Sequence, residues 1–245
     1  MEESWGGTPL LARWTSNWDC KTETNWWYTI KDSNYDISSL KSKRRYEINK
    51  GKKNFTVERI DPLAYIDEIV AITKRAVMGY PEKYRPIINE VKLEEDIRKS
   101  WVNATCFIAK DQKGIACGYA RTSEFDNYIS FDLLKADPDF EKSGVNFAIV
   151  DGILTYYDGR LNPNFYLSDG ERAVNHETHF QDFLIKYFGF RKEYCKLNIS
   201  YPNKVKLMVG MLYPIRKVLY RIDNNPAIHK VCSVLKMESL RRESL

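Results

Sequence analysis

The stretch NYISFDLLKADPDFEKSGVNFAIVDGILTYY, residues 127–157, changes its periodicity once, across a polar loop. Its first nine residues, Asn127 to Lys135, follow the turn at Asp126-Asn127 and read as a strand. The loop 137–144 opens with Asp137-Pro138-Asp139 and closes with Ser143-Gly144. From Val145 to Tyr157 the chain is apolar nearly all round, with Phe147, Ala148, Ile149, Val150, Ile153 and Leu154, which predicts a helix buried on most sides. Asn164 to Leu167 then supplies a short buried strand. The order of elements predicts that these two strands are adjacent and parallel in a mixed sheet.

The flanks extend this pattern. Thr105 to Lys110 and Gly114 to Ser123 are two strands joined by the polar turn Asp111-Gln112-Lys113-Gly114. Before them, Phe55 to Asp61 alternates like a strand. Asp61-Pro62 then opens a helix whose apolar stripe is Leu63, Ile66, Ile69, Val70, Thr73 and Val77, and a second helix runs from Asn89 to Trp101. After the unit come a polar loop, Ser168 to Asn175, a helix from His176 to Phe188 ending at Gly189, and a strand from Arg191 to Tyr201. Helical segments at Lys204 to Ile222, kinked at Pro214, and Pro226 to Arg242 close the chain. Residues 1–54 differ in composition: Trp5, Trp14, Trp18, Trp26 and Trp27 lie there, and a basic helix is expected from Ser38 to Lys50. Ser38 or Ser39 would cap that helix, with Ile37, Leu40, Arg44 and Ile48 on one face. Three segments result: a Trp-rich extension with a basic helix (1–54), an α/β core (55–202) and a C-terminal helical appendage (203–245).

Over 245 residues, 43% hydrophobic and 29% charged residues describe a globular chain, and a net charge of +5 suits a phosphate-bearing partner without requiring nucleic acid. Cys20, Cys106, Cys117, Cys195 and Cys232 are widely spaced and form no CxxC pair, so no disulfide framework or zinc site is expected, and a reducing compartment fits. His176 and His179 lack a third ligand at metal spacing, so no metal is expected. The acidic start Met1-Glu2-Glu3 has no apolar core of a signal peptide, and the longest apolar runs, such as Leu207 to Ile215, are too short to cross a bilayer. A cytoplasmic location is the expectation.

From Phe55 to Tyr201 the order β-α-α-β-β-β-α-β-α-β resembles the GNAT superfamily of N-acyltransferases. Tyr187-Phe188-Gly189-Phe190 before a strand is similar to the ending of the fourth GNAT helix. Arg45-x-x-Ile48-x-Lys50, followed by Phe55-Thr56-Val57, is similar to the stretch preceding a GNAT domain in FemAB-like peptidyltransferases. The resemblance implies a mixed central sheet flanked by helices, with its two parallel strands splayed at one end. It also implies a donor held at the start of the 145–157 helix, where backbone N–H groups and the positive helix end face phosphates. The family loop, Q/R-x-x-G-x-G/A, corresponds to Glu141-Lys142-Ser143-Gly144-Val145-Asn146, which keeps one glycine and replaces the basic first residue by an acid. Lys142, Gly144, Val145 and Asn146, with Leu133 and Leu134 on the preceding strand, are the donor-binding candidates this implies. The donor is an acyl thioester such as acyl-CoA, or an aminoacyl-tRNA as FemAB-like enzymes use.

Acyl transfer to an amine needs a base for the ammonium proton and an acid for the leaving group. Asp132, on the presumed fourth strand with Ser130 and Leu134 as its neighbours on one face, is the candidate base, and His176 is a second. The position of the usual GNAT tyrosine is Ile185, so Tyr187 is the substitute acid candidate. Arg44 and Arg45 on the basic helix, with Asp169 and Glu171 after the fifth strand, are candidates for substrate binding. The implied acceptor is an amine, small or carried on a lipid-linked cell-envelope or sugar precursor. Residues 204–221 interleave cations with apolar residues, which suits a packing helix or a peripheral contact with anionic lipid. The rival expectation is an inactive GNAT-like module that binds a partner or a sugar through its tryptophans.

Overall fold

The computed structural model describes residues 4–5, 8–80, 85–174, 179–222 and 225–244. In chain order the strands are β1 (Ser4–Trp5), β2 (Thr8–Pro9), β3 (Ala12–Ser16), β4 (Trp26–Lys31), β5 (Phe55–Ile60), β6 (Thr105–Asp111), β7 (Ala116–Glu124), β8 (Tyr128–Ala136), β9 (Tyr166–Glu171) and β10 (Arg191–Ser200). The helices are α1 (Ser42–Asn54), α2 (Ile66–Met78), α3 (Glu90–Ser100), α4 (Val145–Tyr157), α5 (Phe180–Phe188), α6 (Asn203–Leu212), α7 (Arg216–Leu219) and α8 (Pro226–Glu243). The chain forms two compact units, one of residues 30–170 and 182–190, the other of residues 1–29, 171–181 and 191–245.

In the larger unit the strand order is β9-β8-β7-β6-β5. β5 to β8 form an antiparallel meander, and β8 pairs with β9 in parallel. The fold is thus mixed α/β with the predicted parallel pair. One sheet face packs on α2 and α3, where Ile66, Ile69, Ile72, Ile97 and Trp101 surround Tyr119 and Cys106. The Tyr119 hydroxyl is satisfied there by Thr73 at 2.7 Å, as a buried phenol requires. The other face packs on α4, whose Val145 and Ile149 close over Gly118 so tightly that a Cβ at Gly118 would sit 2.8 Å from Ile149.

Two elements differ from the sequence expectation. α1 begins at Ser42 rather than Ser38, because Asp36 accepts the Ser38 N–H at 2.8 Å and turns 37–39 into a 3-10 turn. Neither Ser38 nor Ser39 caps α1, and Leu40 and Lys41 are extended between the two elements. The expected loop 168–171 is instead the second half of β9. Gly170 has φ of +85°, the conformation of a turn, but the Ser168 hydroxyl accepts the Gly170 N–H at 3.0 Å and holds the strand in line.

In the smaller unit β10 lies between β3 and β4. Trp26, Cys195 and Leu197 are buried there, with Met237 and Leu240 of α8 against them. The Lys204 to Ile222 segment breaks into α6, a 3-10 turn at Tyr213–Ile215 containing Pro214, α7 and a second 3-10 turn at Tyr220–Ile222. α8 carries Glu238, only 2% exposed. Burial pushes its carboxyl up, but hydrogen bonds from Arg241 and Arg242 outweigh that and hold it at about 2. A carboxylate with a depressed folded pKa stabilises above its ordinary value and loses that contribution as pH falls toward the folded one. Thermal melts should therefore show stability lost between pH 4.5 and about 2. Glu238→Gln should remove about 2 kcal/mol at pH 7 and flatten this acid limb, part of the full linkage value being screened at the half-exposed arginines.

Candidate functional site

The ladder between β8 and β9 is short. It pairs Tyr128 with Tyr166, Ile129 with Leu167 and Ser130 with Ser168, and then stops. β8 continues to Ala136 and β9 to Glu171, so the two strands part at their C-terminal ends, where open α/β sheets place ligands.

α4 follows β8 through a 3-10 turn at Pro138–Ser143 and Gly144, whose φ is +93°. Gly144 donates its N–H to the Glu141 carbonyl at 3.0 Å. No side chain caps α4. The Ala148 N–H donates to the Gly144 carbonyl at 3.0 Å, which leaves the N–H groups of Val145, Asn146 and Phe147 open, the arrangement that accepts anions. Asn146, in that turn, has a buried Oδ1 with no hydrogen-bond partner among the described residues. Lys142 is exposed at the loop. The free N–H groups and Lys142 fit a phosphate-bearing group, whereas Glu141 would repel one and the Asn146 Oδ1, an acceptor, offers it no hydrogen bond.

α1 packs directly on this loop. A Cβ on Gly51 would meet the Gly144 carbonyl at 2.6 Å and the Ala148 nitrogen at 2.9 Å, so glycine is required for the contact. Lys50 donates to the Lys142 carbonyl at 2.6 Å, and Asn54 to the Ser143 carbonyl at 2.9 Å. Ile48 is fully buried. Arg45 donates to the carbonyls of Ser38 (3.2 Å) and Leu40 (2.5 Å), closing the preceding turn. Lys50, Gly51 and Asn54 are therefore the docking surface for the α4 loop, while Arg45 shapes the turn before α1. Arg44 and Arg45 are half-buried, whereas Lys41, Lys43 and Lys53 are exposed.

Asp132 is the extra residue of a β-bulge: Phe131 faces Thr122 and Leu133 faces Arg121 across β7, leaving Asp132 without a partner. Its carboxylate accepts the Ser123 hydroxyl at 2.5 Å and lies 3.2 Å from Arg121 Nε. The Arg121 guanidinium stacks over Trp101 at 4.9 Å. Asp132 thus points toward the α2–α3 face with Leu133. Leu134, expected beside it, is opposite Ala120 on the α4 face, because the bulge breaks the alternation. Tyr187 is half-buried, its ring 4.9 Å from Phe147 of α4 and 5.5 Å from Phe183, and Lys186 lies over it at 5.0 Å. α5 ends at Phe188, and Gly189 has φ of +70°, as a terminating residue should.

Asp169 lies on β9 rather than in a loop. Glu171, in the smaller unit, ion-pairs with Arg13 and accepts the Tyr28 hydroxyl at 3.4 Å, so its charge is already matched. His176 lies outside the described residues. His179 is described, at the start of α5's approach. Among the described residues no group of three or more His, Cys, Asp or Glu could hold a metal.

The sequence reading missed two buried polar centres in the larger unit. Asp151 of α4, only 5% exposed, accepts the Tyr35 hydroxyl at 2.8 Å and pairs with Lys52 of α1 at 3.2 Å. Burial, reinforced by Asp151, raises the Tyr35 pKa far above its ordinary value. A lone carboxylate in an otherwise apolar helix was the available signal. The second is Lys31, buried and donating to Ser33 Oγ (2.8 Å) and the Asn34 carbonyl (3.2 Å). Burial lowers its pKa against the pull of Asp32 and Asp158.

The meander, the parallel pair that parts after Ser130 and the glycine-started α4 define a GNAT-like fold. No family model matches the chain, and no curated protein matches it significantly. Among solved structures, L-PGS from Bacillus licheniformis superposes with a TM-score of 0.52 at 14% identity, over 83% of this chain and 66% of that one. FemX superposes with a TM-score of 0.53 at 12% identity, over 74% and 62%. A conserved protein of unknown function from Bacteroides thetaiotaomicron gives 0.53 at 12% identity, over 78% and 62%. The superpositions cover less than two thirds of each of these proteins.

Proposed function

We propose that the chain is an acyltransferase that takes its acyl group from a phosphate-bearing donor, with aminoacyl-tRNA the donor its surface suits best. The observation that carries this reading is the docking of α1 on the α4 loop through Gly51 and Gly144. It sets the exposed cations Lys43 and Lys53 on the helix that packs against the uncapped start of α4, with Lys41 exposed just before that helix. Coenzyme A needs few such charges, whereas an RNA backbone presents many phosphates. The GNAT-like fold and the likeness to FemX support the same reading, as does the FemAB-like stretch ending at Lys50.

In this scheme the N–H groups of Val145 and Asn146, with Lys142, hold the donor's terminal phosphates. The parting of β8 and β9 receives the acyl group, with Leu133 and Leu134 on the strand beside it. Asp132 takes the ammonium proton of the acceptor amine, with Arg121 beside it and Ser123 fixing its direction. Tyr187, beside the first turn of α4, is the candidate proton donor to the leaving group.

The experiment is tRNA binding by fluorescence anisotropy across a salt series. Lys41→Glu, Lys43→Glu and Lys53→Glu combined should weaken binding on the order of 30-fold or more at low salt and reduce the slope of log K against log salt by roughly 2. Exposed charges contribute little to stability, so the melting temperature should hardly move. Arg44 and Arg45 are unsuitable for this test, since Arg45 closes the turn before α1. Equal affinity and equal slope for the variant would remove tRNA as donor. A rise in melting temperature with acetyl-CoA, abolished by Lys142→Glu, would then assign the acyl thioester.

A further inference from the structure

We infer that the outer face of α6 and α7 docks on the surface of an anionic lipid bilayer. Leu207, Met208, Met211, Ile215, Val218 and Ile222 are 39–66% exposed, a long apolar row on consecutive helical turns. Leu207, Met208 and Met211 lie on α6, Ile215 in the 3-10 turn after it, Val218 on α7 and Ile222 in the closing 3-10 turn. Lys204, Lys206, Lys217 and Arg221 are exposed beside this row. No Asp or Glu occurs anywhere from 203 to 222.

The inner face explains why this row points outward. Val209 is buried, and the Tyr213 ring is held between the guanidinium of Arg216 at 4.0 Å and that of Arg242 of α8 at 3.9 Å. Lys236 of α8 lies 5.8 Å over Tyr220. These contacts fix the rotation of the segment, so the apolar row cannot roll inward. Among the described residues no helix is long and apolar enough to cross a membrane, so the contact would lie in the interface plane.

Cations flanking an uninterrupted apolar row, without a carboxylate, are complementary to negatively charged headgroups over acyl chains. An acidic protein partner would leave the apolar row unmatched unless it carried a groove of its own. The surface is independent of the transfer chemistry proposed above, and its test needs no donor.

The test is co-sedimentation of the full chain with vesicles of phosphatidylcholine alone or with 30% phosphatidylglycerol, at low and high salt, beside analytical ultracentrifugation without lipid. Binding to the anionic vesicles, weakened by salt, is expected. Lys206→Gln with Lys217→Gln should lower partitioning about 30-fold. Met211→Glu with Ile215→Glu should abolish it, with circular dichroism and melting temperature as for the parent. Lack of binding to anionic vesicles by the parent chain would overturn the inference. So would equal binding to both vesicle types by parent and variants. A parent that dimerises without binding vesicles, and a Met211→Glu with Ile215→Glu variant that is monomeric, would assign the face to a second copy instead.

Discussion

Gly51→Ala should lower the stability of the chain by about 3 kcal/mol, a fall of about 10 °C in melting temperature. The added methyl meets the Gly144 carbonyl and the Ala148 nitrogen, both backbone atoms of the loop and first turn of α4. Neither can swing aside as a long side chain would. Alanine favours a helix over glycine, so propensity alone predicts the opposite sign. Gly210→Ala supplies the contrast: it also lies in a helix, but nothing stands within 4 Å of its added methyl. That substitution should raise stability by about 0.5 kcal/mol. Calorimetry on the two variants separates packing from propensity. If both raised the melting temperature, the close docking of α1 on α4 would be wrong.

Asp132→Asn should lower the rate of transfer at least 100-fold while the fold survives. The amide keeps an oxygen for the Ser123 hydroxyl but neither accepts a proton nor balances Arg121. The stability cost should stay near 1 kcal/mol, because both side chains of the ion pair retain some solvent contact. The measurement is the kcat/KM for transfer of a labelled aminoacyl group from aminoacyl-tRNA to a panel of primary amines. An undiminished rate would reduce Asp132 to the partner of Arg121. Arg121→Lys should then be the milder change, since lysine retains the charge but loses the planar stacking on Trp101.

The meander, the buried helix 145–157 and the parallel pair were legible because their hydrophobic periods are strong and their turns carry Asp, Asn and Gly. The half of β9 after Leu167 was not, since Ser168, Asp169, Gly170 and Glu171 have the composition of a loop. That polarity fits a strand that has left its neighbour, β8, at Ser168. The start of α1 was misplaced because Asp36, rather than a serine, sets the local hydrogen bond. Asp132 could be named from its place between Phe131 and Leu133. Its bulge could not, because an extra residue in a ladder depends on the register of the partner strand. Tyr35 and Asp151 meet across 116 residues, with Lys52 joining them, and no local pattern connects the three.

The donor's place at the start of α4 can be read amide by amide. A ¹⁵N-labelled chain titrated with a non-hydrolysable aminoacylated CCA trinucleotide, and separately with coenzyme A, reports each backbone N–H in turn. The account predicts that Val145, Asn146 and Phe147 shift first and furthest with the nucleotide, and that Lys142→Glu suppresses those shifts. Saturating nucleotide and coenzyme A that leave all three amides unmoved would contradict it.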